Sequence, residues 1–397
     1  MATVARYENR SAHARIGAAS VVASVAIYGN LAGAETIWRG METPDYLHTS
    51  FQRFDFLNAW QTHAGEHPNI KPLIAIASDR EGRPLVLLPL GLARENGVRV
   101  GRFLGGKHST FNMGLWRRDF AASAGKADID TIFAAIAAHR DGIDLLALAQ
   151  QPERWDGVVN PLAHLPHQPS ANACPLLRMQ PDAAPEDTIS SGFRRRIRAK
   201  EKKLKALPGY RFFPVSTDAD ITRILDTFFA VKPLRMAVQN LPNVFADAGI
   251  EAFIRTACLS RISEDGRAID IHALECDDEI IAMFAGVADG KSASMMFNTY
   301  TMSENAKYSP GVVLLCNIID RYAGLGYRTF DLGIGSDEYK LQFCKDDEPI
   351  FDSFIPLSAY GRLAALGMSS LNHAKRMVKQ NPTLVAMAHR LRAALYR

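Results

Sequence analysis

The stretch YSPGVVLLCNIIDRYAGLGYRTFDLG, residues 308–333, predicts a loop, a helix and a strand in succession. Ser309 is a candidate N-cap, Pro310 suits the first helical position, and Gly311 lets another group approach the backbone closely. Apolar residues then recur at helical spacing up to a natural helix end at Gly326, and a short strand follows.

The start of this helix has two interpretations. Unpaired N–H groups and the positive end of the helix dipole suit a bound phosphate. A well-capped core helix of an α/β domain explains the same residues without a ligand. The rest of the chain has to distinguish the two.

Composition indicates an ordinary globular protein. The 397 residues are 47% hydrophobic and 22% charged, which is enough for a sizeable core and for two or three domains. The cysteines are odd in number, widely spaced and without a C-x-x-C pair, which favours a reducing compartment and argues against a zinc site or a disulfide framework. They are Cys174, Cys258, Cys276, Cys316 and Cys344.

The N-terminal segment has two possible interpretations. Three arginines precede IGAASVVASVAIYGNLAGAE, residues 16–35, as in a weak signal peptide. Residues 22–28 also fit a first strand that runs into a helix at 33–41, and we favour this soluble, cytoplasmic interpretation. No segment approaches the ~20 apolar residues of a membrane span.

Strands and helices alternate in two similar halves. Residues 71–106 predict three strands and 131–139 a helix, while residues 268–302 predict three further strands before the helix described above. Residues 152–185, rich in proline, alanine and histidine, are the predicted linker and crossover region.

These patterns predict four segments. They are a tail over 1–20, a first domain over 21–175, a second domain over 176–358 and a basic helical tail over 359–397.

The first basic segment is FRRRIRAKEKKLKAL, residues 193–207. Its apolar residues lie on one helical face, and the remainder is cationic with only Glu201 against it. Such a face suits nucleic acid, an anionic membrane, a nucleotide phosphate or an acidic substrate, or is simply solvated. The apolar residues are Phe193, Ile197, Leu204 and Leu207; the cations are Arg194, Arg195, Arg196, Arg198, Lys200, Lys202, Lys203 and Lys205.

The second basic segment is the C-terminus. After Asp352 the chain has seven basic residues and no acidic residue, a net charge of +7 over the last 45 positions. LVAMAHRLRAALY, residues 384–396, predicts either an interfacial amphipathic helix in peripheral contact with a membrane or a helix packed on the protein's own surface.

Several catalytic signatures are weak or absent. HAGEH, residues 63–67, has the spacing of a zinc motif but contains a glycine and precedes a proline, so we interpret it as coincidence. GIGSDE, residues 333–338, lacks the third glycine of a dinucleotide loop. Neither a G-x-S-x-G elbow nor a G-x-x-x-x-G-K-[ST] phosphate loop occurs. We therefore expect no metal.

The stretch SPGVVLLCNIIDRYAGLGYRTFDLGIGSDEYKLQF, residues 309–343, resembles the CelD/BcsL-like acetyltransferases associated with cellulose biosynthesis, within the GNAT acyl-CoA N-acyltransferase superfamily. The resemblance extends over roughly residues 22–356. It implies an α/β (α+β) fold of tandem GNAT-like domains, each a mixed, mostly antiparallel central sheet flanked by helices, with a degenerate first domain and a basic C-terminal helical tail.

The resemblance also implies a site for acetyl-CoA or another acyl-CoA. The glycine-rich Q/R-x-x-G-x-G/A loop of typical GNAT enzymes is absent, and SPG occupies its place. The implied pyrophosphate contacts are Ser309, Gly311 and Val312. The implied donors to the thioester carbonyl are the backbone N–H groups of Phe297, Asn298, Thr299 and Tyr300.

Acyl transfer also needs a base and a proton donor. Asp331 is the first candidate for the base or for orienting the acceptor, and Tyr339 for protonating the thiolate. Lys340 would bind phosphate or the acceptor. His272, midway along a strand, is a second candidate base or a core histidine.

We thus expect an acyltransferase that acts on an amine or hydroxyl of a polysaccharide- or cell-envelope-related acceptor. A second interpretation is a FemAB-like peptidyltransferase that takes an aminoacyl group from tRNA, with the arginine-rich helix on the RNA. A third is a non-catalytic accessory protein of a membrane polysaccharide synthase.

Overall fold

The computed structural model describes residues 3–6, 20–65, 69–179, 189–264, 266–335 and 339–381. The strands are β1 (Thr3–Arg6), β2 (Ser24–Tyr28), β3 (Tyr46–Leu47), β4 (Lys71–Ser78), β5 (Pro84–Glu95), β6 (Val98–Phe103), β7 (Leu115–Arg117), β8 (Leu145–Pro152), β9 (Arg154–Trp155), β10 (Val158–Val159), β11 (Gln168–Pro169), β12 (Pro175–Arg178), β13 (Arg211–Val215), β14 (Asp270–Cys276), β15 (Glu279–Ala288), β16 (Ser292–Tyr300), β17 (Thr329–Asp331), β18 (Asp346–Asp347) and β19 (Ile350–Pro356). The helices are α1 (Glu35–Gly40), α2 (Phe54–Trp60), α3 (Arg118–Ser123), α4 (Lys126–Ala137), α5 (Ser191–Lys205), α6 (Asp218–Val238), α7 (Ile250–Leu259), α8 (Pro310–Gly324) and α9 (Ala359–Gln380).

The chain forms two compact units. The first unit comprises residues 1–172 and 349–397, and the second unit comprises residues 173–348. The predicted boundary at 175 lies three residues from position 172, where the chain first passes from the first unit to the second. The predicted boundary at 358 differs, because β19 pairs with β8 of the first unit and not with the second sheet.

The first unit is built on a mixed sheet with the strand order β1-β2-β4-β5-β6-β8-β19-β11. The antiparallel meander β4-β5-β6 follows the pattern predicted for residues 71–106. β6 then runs parallel to β8, whereas β19 pairs antiparallel with β8. Apolar residues of α3 and α4 join the main core cluster of this unit.

Helix α9 packs on the first unit through a close backbone contact. Ser358 caps the helix by accepting from the Gly361 N–H, and its own hydroxyl donates to Asp144 at 2.8 Å. A Cβ on Gly361 would lie 1.7 Å from the Asp144 carbonyl oxygen. Ala365 then joins a small core cluster with residues of β6 and β8. Residues 359–380 of the predicted tail are therefore packed against a sheet, whereas 382–397 lie outside the described residues.

The second unit repeats the arrangement of the first sheet, in which an antiparallel meander is followed by a parallel strand pair. Its sheet has the order β13-β14-β15-β16-β17-β12-β18, and β14-β15-β16 form the meander predicted over residues 268–302. β16 and β17 are parallel, and α8 connects them. α8 begins at Pro310, the residue that the sequence predicts for the first helical position. The predicted linker over 152–185 contains four short strands. β9 and β10 pair with each other, β11 joins the first sheet and β12 joins the second.

The basic helix α5 packs against α8, as its apolar residues predict. Ile197 and Leu204 are buried. Arg194, which the helical pattern assigns to the outer cationic face, is also buried, because its guanidinium donates to both carboxylate oxygens of Asp320 on α8 at 2.7–2.8 Å. Six cations of this helix remain exposed: Arg195, Arg196, Arg198, Lys202, Lys203 and Lys205.

Candidate functional site

The second sheet has an opening where β16 and β17 separate. The two strands pair in parallel only from Ser292 to Ser294, opposite Thr329 to Asp331. β16 continues for six more residues, to Tyr300, while β17 ends at Asp331. The outer part of β16 is therefore paired with β15 on one edge and leaves its other edge without a strand partner among the described residues.

The loop that connects β16 to α8 is held by Glu279. This carboxylate accepts hydrogen bonds from the hydroxyls of Thr301 and Ser303 and from the side-chain amide of Asn305. Ser303 also accepts from the Asn305 N–H and so caps the short 3₁₀ helix Glu304–Tyr308. This network fixes the entry of the chain into α8.

Ser309 occupies the N-cap position of α8 in a strained conformation. Its φ of 54° and ψ of 52° lie in the left-handed region, which is uncommon for residues other than glycine. The following proline disfavours the right-handed helical region at this residue. The predicted side-chain cap is not formed; the Ser309 carbonyl accepts instead from the N–H groups of Val312 and Val313.

This geometry corrects one predicted phosphate contact. The N–H of Val312 already donates to Ser309 at 3.0 Å, so it is not available to a ligand. Pro310 has no N–H. Gly311 therefore carries the first N–H of the helix, and no acceptor for it occurs within the described residues. Gly311 lies against the ring of Tyr300, since a Cβ there would be 3.2 Å from Tyr300 Cδ1.

A lysine from α5 reaches the same helix end. The Lys200 ammonium donates to the Ser309 hydroxyl at 2.6 Å. Lys200 is only partly exposed, and no carboxylate pairs with it among the described residues. Positive charge from a side chain thus adds to the positive end of the α8 dipole.

The unpaired edge of β16 faces two cations of α6. Lys232 donates to the Asn298 carbonyl at 2.9 Å, and Arg235 donates to the Tyr300 carbonyl at 3.0 Å while its guanidinium stacks on the Tyr300 ring. The Thr301 N–H donates to β15, so the alternation of an antiparallel ladder directs the N–H groups of Asn298 and Tyr300 to the unpaired edge. Those of Phe297 and Thr299 point to β15.

Asp331 lies at the base of the opening. It is 1% exposed, accepts from the Gly333 N–H at 2.9 Å, and accepts from the Ser294 hydroxyl on β16. Burial raises the pKa of Asp331 to about 7, although these hydrogen bonds and the nearby Lys340 ammonium oppose the shift. The carboxyl group can therefore hold or release a proton near neutral pH.

Ser294→Ala is expected to raise the pKa of Asp331 by roughly one unit, because a hydrogen bond to a carboxylate stabilises the charged form by about 1.5 kcal/mol. The measurement is NMR titration of protein labelled at aspartate Cγ. Ser292→Ala is the matched control, since Ser292 on the same strand accepts from Thr329 and does not contact Asp331. An equal shift in both variants, or none in either, would contradict the role of Ser294.

Lys340 holds the loop that follows β17. Its ammonium is buried and donates to the carbonyls of Gly333, Ile334 and Gly335 at 2.9–3.2 Å. Lys340 and Asp331 therefore both hold Gly333. Lys340 binds the Gly333 carbonyl, and Asp331 binds the Gly333 N–H. Gly333 itself has φ of 76°, and a Cβ there would lie 3.1 Å from the Met295 carbonyl oxygen. Lys340 thus positions this loop. The adjacent side chain, Tyr339, is 36% exposed.

His272 is separated from Asp331 by the sheet. Its ring makes an edge contact with Tyr322 of α8 and lines a cavity of about 20 Å³, room for about one water molecule. Phe330 lines the same cavity, so the next residue, Asp331, points to the opposite face. Burial lowers the pKa of His272 to about 3, which keeps the ring neutral. This is the environment of a core histidine.

Two predicted motifs lie partly outside the described residues. Residues 61–65 form a π-helical turn, but Glu66 and His67 of HAGEH are not described. The same holds for residues 336–338 of GIGSDE. Within the described part of the chain, no group of three or more histidine, cysteine, aspartate or glutamate side chains is placed to hold a metal ion.

Comparison with known proteins bears on the second unit. Residues 191–341 match the family model of an acetyltransferase (GNAT) domain. This range includes α5, α8, the meander and the opening between β16 and β17. No match was found among curated protein sequences.

Solved structures are similar to the chain over most of its length. FemX superposes with a TM-score of 0.58 at 9% identity, covering 83% of this chain and 98% of FemX. The C-terminal domain of a protein described as a lysylphosphatidylglycerol synthetase from Agrobacterium fabrum gives 0.51 at 12% identity, covering 86% and 98%. A conserved protein of unknown function from Bacteroides thetaiotaomicron gives 0.51 at 13% identity, covering 83% and 99%.

These comparisons confirm the predicted fold of tandem GNAT-like domains with mixed sheets flanked by helices, and they support the GNAT superfamily. At such low identity the structural likeness concerns the fold alone. The match to an acetyltransferase domain indicates an acyltransferase.

Sequence reasoning missed three residues of this site. Ser294, Lys232 and Arg235 act through partners on other elements, so no local pattern indicates them. Lys232 and Arg235 lie on either side of Pro233 in α6, but this local pattern does not show that their partners are carbonyls of β16.

Proposed function

We propose that the second unit is an acyl-CoA-dependent acyltransferase that transfers an acyl group, acetyl in the simplest case, to an amine or hydroxyl. The observation that carries this proposal is the separation of β16 from β17 beside the N-terminus of α8, inside the range that matches a GNAT domain. When bound, acyl-CoA supplies a thioester whose carbonyl carbon bonds to the acceptor while the carbon–sulfur bond breaks.

The residues at the α8 end fit a phosphate group, although the glycine-rich loop is absent. The Gly311 N–H, the Ser309 hydroxyl and the Lys200 ammonium supply hydrogen-bond donors and positive charge at the positive end of the helix. We assign the pyrophosphate to these three groups.

The edge of β16 fits the polarisation of a carbonyl. The N–H groups of Asn298 and Tyr300 face the opening and are the proposed donors. The hydroxyl of Thr299 is buried without a hydrogen-bond partner among the described residues. The same strand therefore has a buried polar group whose hydrogen bonds the described residues do not satisfy.

Asp331 is the proposed proton acceptor. Above about pH 7 its carboxylate can take the proton that the acceptor amine or hydroxyl loses. Tyr339 is the proposed donor of a proton to the departing thiolate. Lys340 keeps the intervening loop in place and does not itself bind phosphate in this proposal, because three carbonyls already accept from it.

Calorimetric titration with acetyl-CoA tests the cofactor site. Wild-type protein is expected to bind with micromolar affinity, and Gly311→Leu to bind at least about tenfold more weakly, because the new side chain meets the Tyr300 ring and fills the helix end. Gly324→Leu, on the same helix with open space around it, is the matched control.

Lys200→Met paired with Lys203→Met tests the charge contribution, since both lysines belong to α5 and only Lys200 contacts Ser309. Weaker binding in Lys200→Met alone supports the assignment. If wild-type protein binds no acetyl-CoA, the acyl-CoA proposal fails.

The acceptor and location are proposed from the sequence. The resemblance to CelD/BcsL-like proteins favours a polysaccharide- or cell-envelope-related acceptor. The five cysteines are buried thiols, in keeping with a reducing compartment, and we propose that the enzyme acts in the cytoplasm.

The exposed cations of α5 favour a second candidate, transfer of an aminoacyl group from tRNA. This surface adjoins the α8 end through Lys200, and the chain shares its fold with FemX. Binding of tRNA that weakens steeply with salt and is lost when Arg195 and Arg198 are replaced by glutamate would favour this candidate over acyl-CoA.

A further inference from the structure

Helix α9 exposes an apolar face to solvent. Its inner side packs on the first sheet through Ala365 and Gly361, yet six large apolar side chains on the helix are 37–68% exposed. At 100° per residue they fall in one stripe about 140° wide, on the side away from the sheet. We call it the α9 apolar face; its members are Tyr360, Leu363, Leu366, Leu371, Met377 and Val378.

Basic residues border this face on both sides. The same helical geometry places Arg362 at one margin of the stripe and Lys375 at the other. α9 has no acidic residue, and none occurs after Asp352. An apolar stripe with a cation at each margin is a pattern of helices that lie in the interface of an anionic lipid surface.

The charge pattern argues against two other occupants. A second copy of the chain would bring identical basic margins together across a symmetric contact, which is unfavourable. Residues 382–397 carry three arginines and no acidic residue, so they offer no complementary charge. Among the helices that the structure describes, none is long and apolar enough to cross a membrane.

We propose that the α9 apolar face docks the first unit on a membrane surface that contains anionic lipid, with the helix axis parallel to that surface. The leucines enter the boundary between headgroups and acyl chains, and the marginal cations bind lipid phosphates. This inference does not depend on the activity of the second unit.

Vesicle flotation of the full chain tests the proposal. The probes are vesicles of phosphatidylcholine alone and of phosphatidylcholine mixed with phosphatidylglycerol. Wild-type protein is expected to bind the mixed vesicles at least about tenfold better, and the binding is expected to weaken as sodium chloride rises. Equal binding to both vesicles, or none to either, would overturn the proposal.

A double variant places the contact on α9. Leu363→Glu with Leu366→Glu is expected to lower binding to the mixed vesicles at least about tenfold. The control is Leu325→Glu with Leu341→Glu, which adds the same charge at two other exposed leucines, in the second unit, and should bind as wild type. Both residues of the test pair are 68% exposed, and unchanged circular dichroism will verify the fold.

The same variants separate the remaining occupants. Equal binding by the test pair and the control pair would refute the assignment to α9. A wild-type dimer in light scattering that the test pair dissociates, without any lipid binding, would show that the face contacts a second copy instead.

Discussion

The Asp331→Asn variant is expected to lose a pH dependence of folding that wild-type protein shows between about pH 4 and about pH 7. Burial raises the pKa of Asp331 to about 7, whereas an aspartate in an unfolded chain titrates near pH 4, an approximate model value. Within this window the folded state holds a proton that the unfolded state has released. The free energy of unfolding therefore falls as the pH rises.

The expected size follows from the pKa difference. At about 1.4 kcal/mol for each pKa unit, Asp331 contributes on the order of 4 kcal/mol, fully present below about pH 4 and lost above about pH 7. Asparagine has nearly the same shape and can accept from the Gly333 N–H, but it does not titrate. The difference in stability between the two proteins should therefore change by this amount across the window.

Urea unfolding of both proteins at a series of pH values measures this difference. Asp346→Asn, which changes an exposed aspartate of the same unit, is the matched control and should leave the slope unchanged. A difference between wild type and Asp331→Asn that stays constant from about pH 4 to about pH 8 would show that Asp331 is ionised in the folded protein throughout.

Gly361→Ala is expected to destabilise the first unit by about 3 kcal/mol or more. The added Cβ would lie 1.7 Å from the Asp144 carbonyl oxygen, and a backbone atom cannot rotate away as a side chain can. The start of α9 must move outward, and the hydrogen bond from Ser358 to the Asp144 carboxylate would be strained. This carboxylate also pairs with Arg99, which holds the pKa of Asp144 well below its usual range.

The matched control for this variant is expected to change the free energy of unfolding in the opposite direction. Gly367 lies on the same helix with no atom within 4 Å of its ideal Cβ, so Gly367→Ala should stabilise the protein by about 0.5–1 kcal/mol through helix propensity. Urea unfolding of the three proteins tests both expectations. Equal stabilities of the two variants would mean that α9 does not depend on the Gly361 contact.

Local patterns predicted much of the second unit. The alternating strands over 268–302 and the proline-initiated helix α8 depend on neighbouring residues, so their positions could be read from spacing. The choice of Asp331 also had a local basis, since it ends a strand before a glycine-rich loop. Its raised pKa could not be predicted, because it depends on burial and on Ser294 from another strand.

Features set by distant partners could not be predicted. The helical pattern placed Arg194 at the surface, but Asp320, which lies 126 positions away, pairs with it in the interior. β19 follows the second unit in sequence, yet its partner β8 lies some two hundred positions earlier. Val312 fails as a phosphate contact because its N–H already donates to the Ser309 carbonyl.

The return of the chain to the first unit has a consequence for biosynthesis. β19 lies between β8 and β11 in the first sheet, and both β19 and α9 follow residue 348. A ribosome must therefore translate the whole second unit before the first sheet can close, although domains usually fold in the order in which they emerge. The second unit draws its sheet from one continuous segment. The second unit can therefore fold first, whereas the sheet of residues 1–172 stays incomplete until β19 has been translated.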